Sequence, residues 1–250
     1  MVEIDDPQVF ITDLFASHAR HNPGKPAVVC AGVERSWQNF DRNINRVANT
    51  LLSNGLQKGD KVALLMGNSV EMLEVLFAVV RAGGCVVPLS GLLTADQLAV
   101  LIDDCDASWA FASAEFQERL DAVRDQLGKI ARPQWIAFDF SGNGTAVWTP
   151  LNDWLTDASD QHPSVALSMS DEFNIIYSSG TTGLPKGIVQ THRARQHWAF
   201  SNAIEMGFNA DSRALTTTAL YSNGTWLMML PVLFAGGTLH VMPVLSLIHI

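Results

Sequence analysis

The sequence predicts an α/β fold with a largely parallel sheet, and three observations carry that expectation. Short apolar runs of strand type alternate with amphipathic stretches of helical period along almost the whole chain. The helical stretches stop at glycines, the residue that accepts the left-handed turn beyond a helix end. One unit, helix then glycine pair then strand then proline, occurs twice, at 75–88 and again at 232–243. With 250 residues, 48% of them hydrophobic and only 16% charged, there is enough apolar surface for a large core or two joined subdomains, and disorder is excluded.

In chain order, residues 8–21 read as a helix, followed by Pro23, Pro26 and a strand at 27–30. Residues 37–54 put Phe40, Ile44, Val47, Ala48, Leu51 and Leu52 on one helical face and stop at Gly55. A buried-type strand at 61–66 precedes a helix over 69–82 that halts at Gly83-Gly84, and 85–89 is the next strand. Thr94-Ala95-Asp96-Gln97 has the spacing of a reciprocal cap, in which each end side chain accepts the other residue's free backbone N–H. Residues 108–112, 134–138 and 174–177 are further strands. The apolar segment 226–235 is too short to span a bilayer and contains Pro231, so a buried helix is expected.

The segment 141–170 is the weakest. Ser141-Gly142-Asn143-Gly144 is a turn cluster, and Pro150, Asp153, Asp157, Asp160 and Pro163 continue a polar connection where a subdomain boundary is expected. The repeated unit on either side of it has two readings, the common look of any two α/β units or two related sheet subdomains side by side. A net charge of −9 argues against nucleic acid and leaves anion binding to a local device. Cys30, Cys85 and Cys105 show no ligand spacing, so a reduced, cytoplasmic setting is expected, with neither a signal peptide nor an integral membrane segment.

Chemistry concentrates in residues 175–187. An apolar strand runs into Ser178, Ser179, Gly180, Thr181, Thr182, Gly183, Leu184, Pro185, Lys186 and Gly187, and a second strand begins at Ile188-Val189. Four hydroxyls and successive N–H groups can converge on an anion, and Lys186 is the only Lys or Arg between Asp171 and Arg193. Each hydrogen bond to a charged oxygen contributes roughly 1.5–3 kcal/mol, so a few of them with one ammonium can hold a triphosphate. A Walker loop is excluded because Gly187 and a strand, not Ser/Thr and a helix, follow the lysine. No Gly-x-Gly-x-x-Gly or Gly-x-Ser-x-Gly pattern occurs either. Composition alone leaves two readings open, a phosphate cradle or a solvated loop of small polar residues.

The run from Tyr177 to Gly187 resembles the phosphate-loop signature of the AMP-forming ligase superfamily, which includes acyl-CoA synthetases, luciferases and the adenylation domains of peptide synthetases. Arg81-Ala82-Gly83-Gly84-Cys85-Val86-Val87-Pro88-Leu89 is similar to the family's early glycine-pair motif, Ser36-Trp37 to its motif before the first long helix, and Thr191-His192 to the Thr-His after its loop. The resemblance runs from about residue 10 to residue 243. It implies a chain corresponding to the front of the large domain. Residues 1–165 would be a first α/β subdomain, 166–244 the start of a second, and 245–250 a foreign tail similar to a translated sequencing adaptor. The adenine, ribose and magnesium contacts and the catalytic lysine of a mobile C-terminal domain would lie outside it.

The activity so implied has two steps. A carboxylate attacks the α-phosphorus of ATP, with Mg2+ shielding the phosphates, to give an acyl-adenylate and pyrophosphate; a thiol, most often coenzyme A, then takes the acyl group. The link is to fatty acid metabolism, and the alternatives are an adenylation domain that loads a carrier protein or a non-catalytic nucleotide-binding fragment. Ser178, Ser179, Gly180, Thr181, Thr182, Gly183 and Lys186 would hold the β- and γ-phosphates, with Thr181 and Lys186 the catalytic candidates. The stretch 220–226 corresponds to the acyl-pocket motif, where many relatives carry histidine after the aromatic residue and this chain has Ser222. Tyr221, Ser222 and Asn223 are the expected substrate contacts. Trp226 is either pocket wall or core, and Met228, Met229 and Leu230 are expected in the core. His192 either orients the loop, pairs with a nucleotide, or serves as a cap.

Overall fold

A computed structural model of the chain describes residues 9–139, 147–178 and 185–244. Helix α1 (Ile11–His21) leads into a hairpin of β1 (Pro26–Cys30) and β2 (Val33–Ser36), then α2 (Trp37–Ser53), β3 (Lys61–Leu65), α3 (Val70–Arg81) and β4 (Cys85–Pro88). Next come α4 (Ala95–Asp104), β5 (Ala107–Ser113), the short α5 (Gln117–Asp121), β6 (Trp135–Phe138), β7 (Thr149–Pro150) and a single turn, α6 (Leu151–Trp154). A second hairpin, β8 (Glu172–Ser178) and β9 (Lys186–Thr191), is followed by α7 (His192–Glu205), β10 (Arg213–Thr216), α8 (Asn223–Phe234) and β11 (Thr238–Val241). Among the described residues the strands form two sheets, in the orders β10-β11-β1-β2 and β7-β6-β5-β3-β4-β8-β9. Pairing is parallel except within the two hairpins.

Local chemistry accounts for most of the helices. Ser36 caps α2 by accepting the Asn39 N–H at 3.3 Å, and Phe40, Ile44, Val47, Ala48 and Leu51 bury the expected face. Thr94 and Gln97 form the reciprocal cap of α4 at 3.3 and 3.0 Å. Helix α7 is capped by Thr191, which accepts the Ala194 N–H at 3.2 Å, but it lacks an apolar stripe. Its buried face is His192, Arg195, Ala199 and Ala203, correctly spaced but chemically disguised. Helix α8 continues for three residues past Pro231, whose missing N–H costs one helical bond.

The repeated unit is geometric as well as textual. After α3 and after α8 the chain turns through Gly83 (φ +85°) and Gly236 (φ +76°), left-handed values that disfavour any side chain. The next glycine in each copy is squeezed. A Cβ on Gly84 would meet Val79 Cγ1 at 3.0 Å and Asp60 O at 3.2 Å, and one on Gly237 would meet Val232 Cγ2 and Ser212 O at 2.7 Å. The following strand starts in register with the preceding one, through Cys85 N–H to Asp60 O at 2.8 Å and Thr238 N–H to Ser212 O at 2.9 Å. The complete unit is hairpin, helix, strand, helix, strand: β1-β2-α2-β3-α3-β4 and β8-β9-α7-β10-α8-β11.

The two copies exchange hairpins. Strand β1 pairs with β11, and β8 pairs with β4, so each hairpin completes the sheet of the other copy. The second copy begins at β8, beyond the expected division at 165/166, and each sheet draws strands from both sides of that position. Parallel pairing between distant segments leaves no local mark, whereas a polar connection does. The turn cluster at 141–144 and the tail 245–250 lie outside the described residues.

Where the first hairpin crosses α3, Glu74 is buried and accepts from Arg35 Nε at 3.1 Å and Asn43 Nδ2 at 2.7 Å. Burial pushes its carboxyl up from 4.5 to about 7, outweighing both donors. Between those values the folded chain keeps a proton that the unfolded chain has released, so stability falls as pH rises from about 4.5 to about 7. The expected loss is on the order of 3 kcal/mol. Urea unfolding at several pH values checks this. Glu74→Gln should flatten the dependence, and an unchanged slope in that variant would remove the assignment.

Candidate active site

The hairpin β8-β9 supplies the mouth of the hydroxyl-rich loop. Ser178 ends β8 and Lys186 opens β9, and the two stand opposite each other in the antiparallel register, with Tyr177 opposite Gly187. Ser178 and Lys186 are both exposed, and Lys186 forms no salt bridge among the described residues. Ser179, Gly180, Thr181, Thr182 and Gly183 lie outside the described residues. The base of the hairpin is fixed by Tyr177, whose hydroxyl donates to Asp104 Oδ2 at 2.5 Å and is 3.2 Å from Leu101 O. Burial, then that bond to Asp104, raises the phenol's pKa, so it stays a protonated strut. Gly187 leaves room for it, since a Cβ there would press on Ile175 at 3.0 Å and on the Tyr177 ring at 3.3 Å.

The expected substrate contacts lie at the start of α8, after β10 of the other sheet. Tyr221 is half-buried, Ser222 is the N-cap of α8 without a side-chain capping bond, and Asn223 is exposed. Trp226 is core: it has no exposed surface and donates from Nε1 to Leu220 O at 2.9 Å. Met229 and Leu230 are buried as expected, whereas Met228 is 37% exposed because α8 turns that face outward. His192 is buried edge-on to Phe10 and Phe173, and burial pushes its imidazole down to about 4, so it is a neutral core group that offers no charge to a nucleotide. Cys85 and Cys105 are buried thiols pushed up to about 12 and about 11, which makes them poor nucleophiles.

Two residues without a sequence signal join these parts. Asn68, in the turn after β3, donates to Thr218 O at 3.2 Å and Met242 O at 2.9 Å, and accepts the Leu220 N–H at 2.9 Å. It thus ties the ends of β10 and β11 and the start of the 220–226 stretch to the larger sheet. Arg195 of α7 donates to Asn174 Oδ1 on β8 at 2.7 Å and to Asn223 Oδ1 on α8 at 3.0 Å. No hydrogen bond or ion pair joins Ser178 or Lys186 directly to residues 221–223 among the described residues. Nor do the described residues gather a His, Cys, Asp and Glu cluster fit for a metal ion.

Comparison with known proteins gives the family of the chain that carries this hairpin. The profile of the AMP-binding enzyme family matches residues 15–247. The chain belongs to that family. The chain is 33% identical over 228 residues to the indoleacetate–CoA ligase of Aromatoleum aromaticum, covering 90% of the chain and 44% of that protein. It is 32% identical over 171 residues to the long-chain-fatty-acid–CoA ligase FadD13 of Mycobacterium tuberculosis, covering 67% of the chain and 32% of that protein. The chain spans less than half the length of these relatives. Its fold matches the anthranilate CoA ligase AuaEII, solved with anthranoyl-AMP, with a TM-score of 0.90 at 22% identity, over 98% of the chain and 47% of that one. That agreement extends the fold to the front part of the ligases' large domain. No helix among the described residues is long and apolar enough to cross a membrane.

Proposed function

We propose that the complete enzyme activates a carboxylic acid with ATP, releasing pyrophosphate, and passes the acyl group to coenzyme A. The observation that supports this most is the β8-β9 hairpin, which sets an exposed Lys186, without an acidic partner among the described residues, opposite Ser178 at the two ends of a stretch rich in hydroxyls and glycines in the sequence. Relatives named as CoA ligases support the acceptor. In this reading the chain's own groups bind and orient. Ser178 and the loop hydroxyls donate to phosphate oxygens, and Lys186 balances charge that builds on the departing pyrophosphate. Magnesium, when bound, would neutralise further phosphate charge. Tyr221, Ser222 and Asn223 are proposed to face the acid.

ATP–pyrophosphate exchange with a panel of acids, followed by thioester assay with coenzyme A, tests the proposal. The full-length enzyme should exchange, whereas the 250-residue chain should not, because half a site cannot align carboxylate and α-phosphorus. Failure of the full-length enzyme with every acid would overturn the reading. Exchange without thioester formation would redirect the acyl group to a carrier protein.

A further inference from the structure

Arg195 has no exposed surface, yet no carboxylate pairs with it among the described residues. Its guanidinium lies between the rings of Trp226 and Trp198, 4.4 and 4.9 Å from their centroids. Nε and Nη2 donate to Asn174 and Asn223, but Nη1 has no partner, and neither has Asn174 Nδ2 beside it. The buried Arg81 is a useful contrast. Its Nε also lacks a partner, but it has a counter-charge: it pairs with Asp41 at 2.8 Å and donates to Thr12 O and Asn45 Oδ1, both at 2.6 Å. An ion taken out of water without a counter-charge is costly, and ring faces do not satisfy N–H groups in the guanidinium plane.

Two further features turn this orphan charge toward a ligand. It touches the first residue of α8, a twelve-residue helix whose N-cap Ser222 makes no capping bond, so the helix dipole adds positive potential there. Asn223 is exposed, so moving one amide side chain uncovers the guanidinium from the side of the expected acid-binding stretch. We infer that Arg195, roofed by Asn223 and flanked by Asn174, receives a second anionic group carried at the far end of the acid substrate.

Distance decides against the reacting carboxylate. Asn174 and Ser178 both lie on β8, roughly 13 Å apart at the rise of an extended strand, and the reacting carboxylate has to meet a phosphorus held beyond Ser178. An acid with an anion at each end, such as an α,ω-dicarboxylate of medium length, spans the two. This rests on the ligase reading and names its substrate class.

The test is ATP–pyrophosphate exchange by the full-length enzyme with matched pairs, octanoate against suberate and hexanoate against adipate. The diacid of at least one pair should be preferred by about 10²-fold or more in kcat/KM, because a site built around a polar contact rejects the analogue lacking it. Arg195→Met should reduce that ratio by a similar factor, chiefly through KM, and Arg195→Lys should recover part of it. Equal or better use of the monoacids by the wild-type enzyme, a comparison that needs no variant, would overturn the inference. So would an Arg195→Met enzyme that loses both acids alike, as a packing defect would. Stabilisation by sodium chloride that vanishes in Arg195→Met, without any preference among acids, would assign the site to an inorganic ion and reject the substrate. If no acid supports exchange, the ligase reading fails and takes the inference with it.

Discussion

Lys186→Ala in the full-length enzyme should lower kcat for ATP–pyrophosphate exchange by about 10²–10³-fold, the usual cost of one preorganised charge stabiliser. Lys186 is exposed at the first position of β9 and has no acidic partner among the described residues, so its charge is available to a ligand. Removing it disturbs no packing, and the unfolding free energy from urea denaturation should change by less than about 0.5 kcal/mol. Arg in its place keeps the charge but spreads it over a planar fork, so partial activity is expected. Full exchange by the alanine variant would show that the phosphates are held elsewhere.

Asp41→Ala should destabilise the chain by about 3–5 kcal/mol, the range for stranding a buried partner charge. Arg81 is almost completely enclosed, and Asp41 is its only carboxylate at contact distance among the described residues, 2.8 Å. The guanidinium also holds Thr12 O of α1 and Asn45 of α2, so three helices meet on it. Burial lowers the pKa of Arg81 and Asp41 raises it again, so loss of that carboxylate leaves burial opposed only by the weaker field of Asp13. Replacing both, as Asp41→Leu with Arg81→Met, should cost less than Asp41→Ala alone. Chemical denaturation of the three proteins decides the matter; a loss below about 1 kcal/mol in Asp41→Ala would mean that water already compensates the charge.

Helices with chemical punctuation are legible in the residues themselves. Ser36 and the pair Thr94 and Gln97 cap helices where the residue spacing demands it, and the apolar face of α2 is the buried one. The α7 helix is not legible, because two alanines, a histidine and an arginine occupy its buried face and none of them draws an apolar stripe. The β8-β9 hairpin and its loop stand out because glycines, hydroxyls and a lone lysine are compositionally unlike a core. Asn68 and Arg195 are hidden for the opposite reason. Each is an ordinary polar residue whose importance comes from partners more than a hundred positions away or on another element. Sheet membership is hidden likewise, since parallel partners are chosen by long-range contact.

The exchange of hairpins also constrains how the molecule is made. Lys25, at the foot of the first hairpin, bonds to Gly236, 211 positions further along. At translation speeds of about 5–20 residues per second, the first hairpin waits roughly 10–40 s before its neighbouring strand leaves the ribosome. During that interval the hairpin's sheet edge stands open on the nascent chain, a natural client surface for a chaperone. When the late strand arrives it joins segments from both copies of the unit in one sheet, so the first copy's hairpin is completed only by the second.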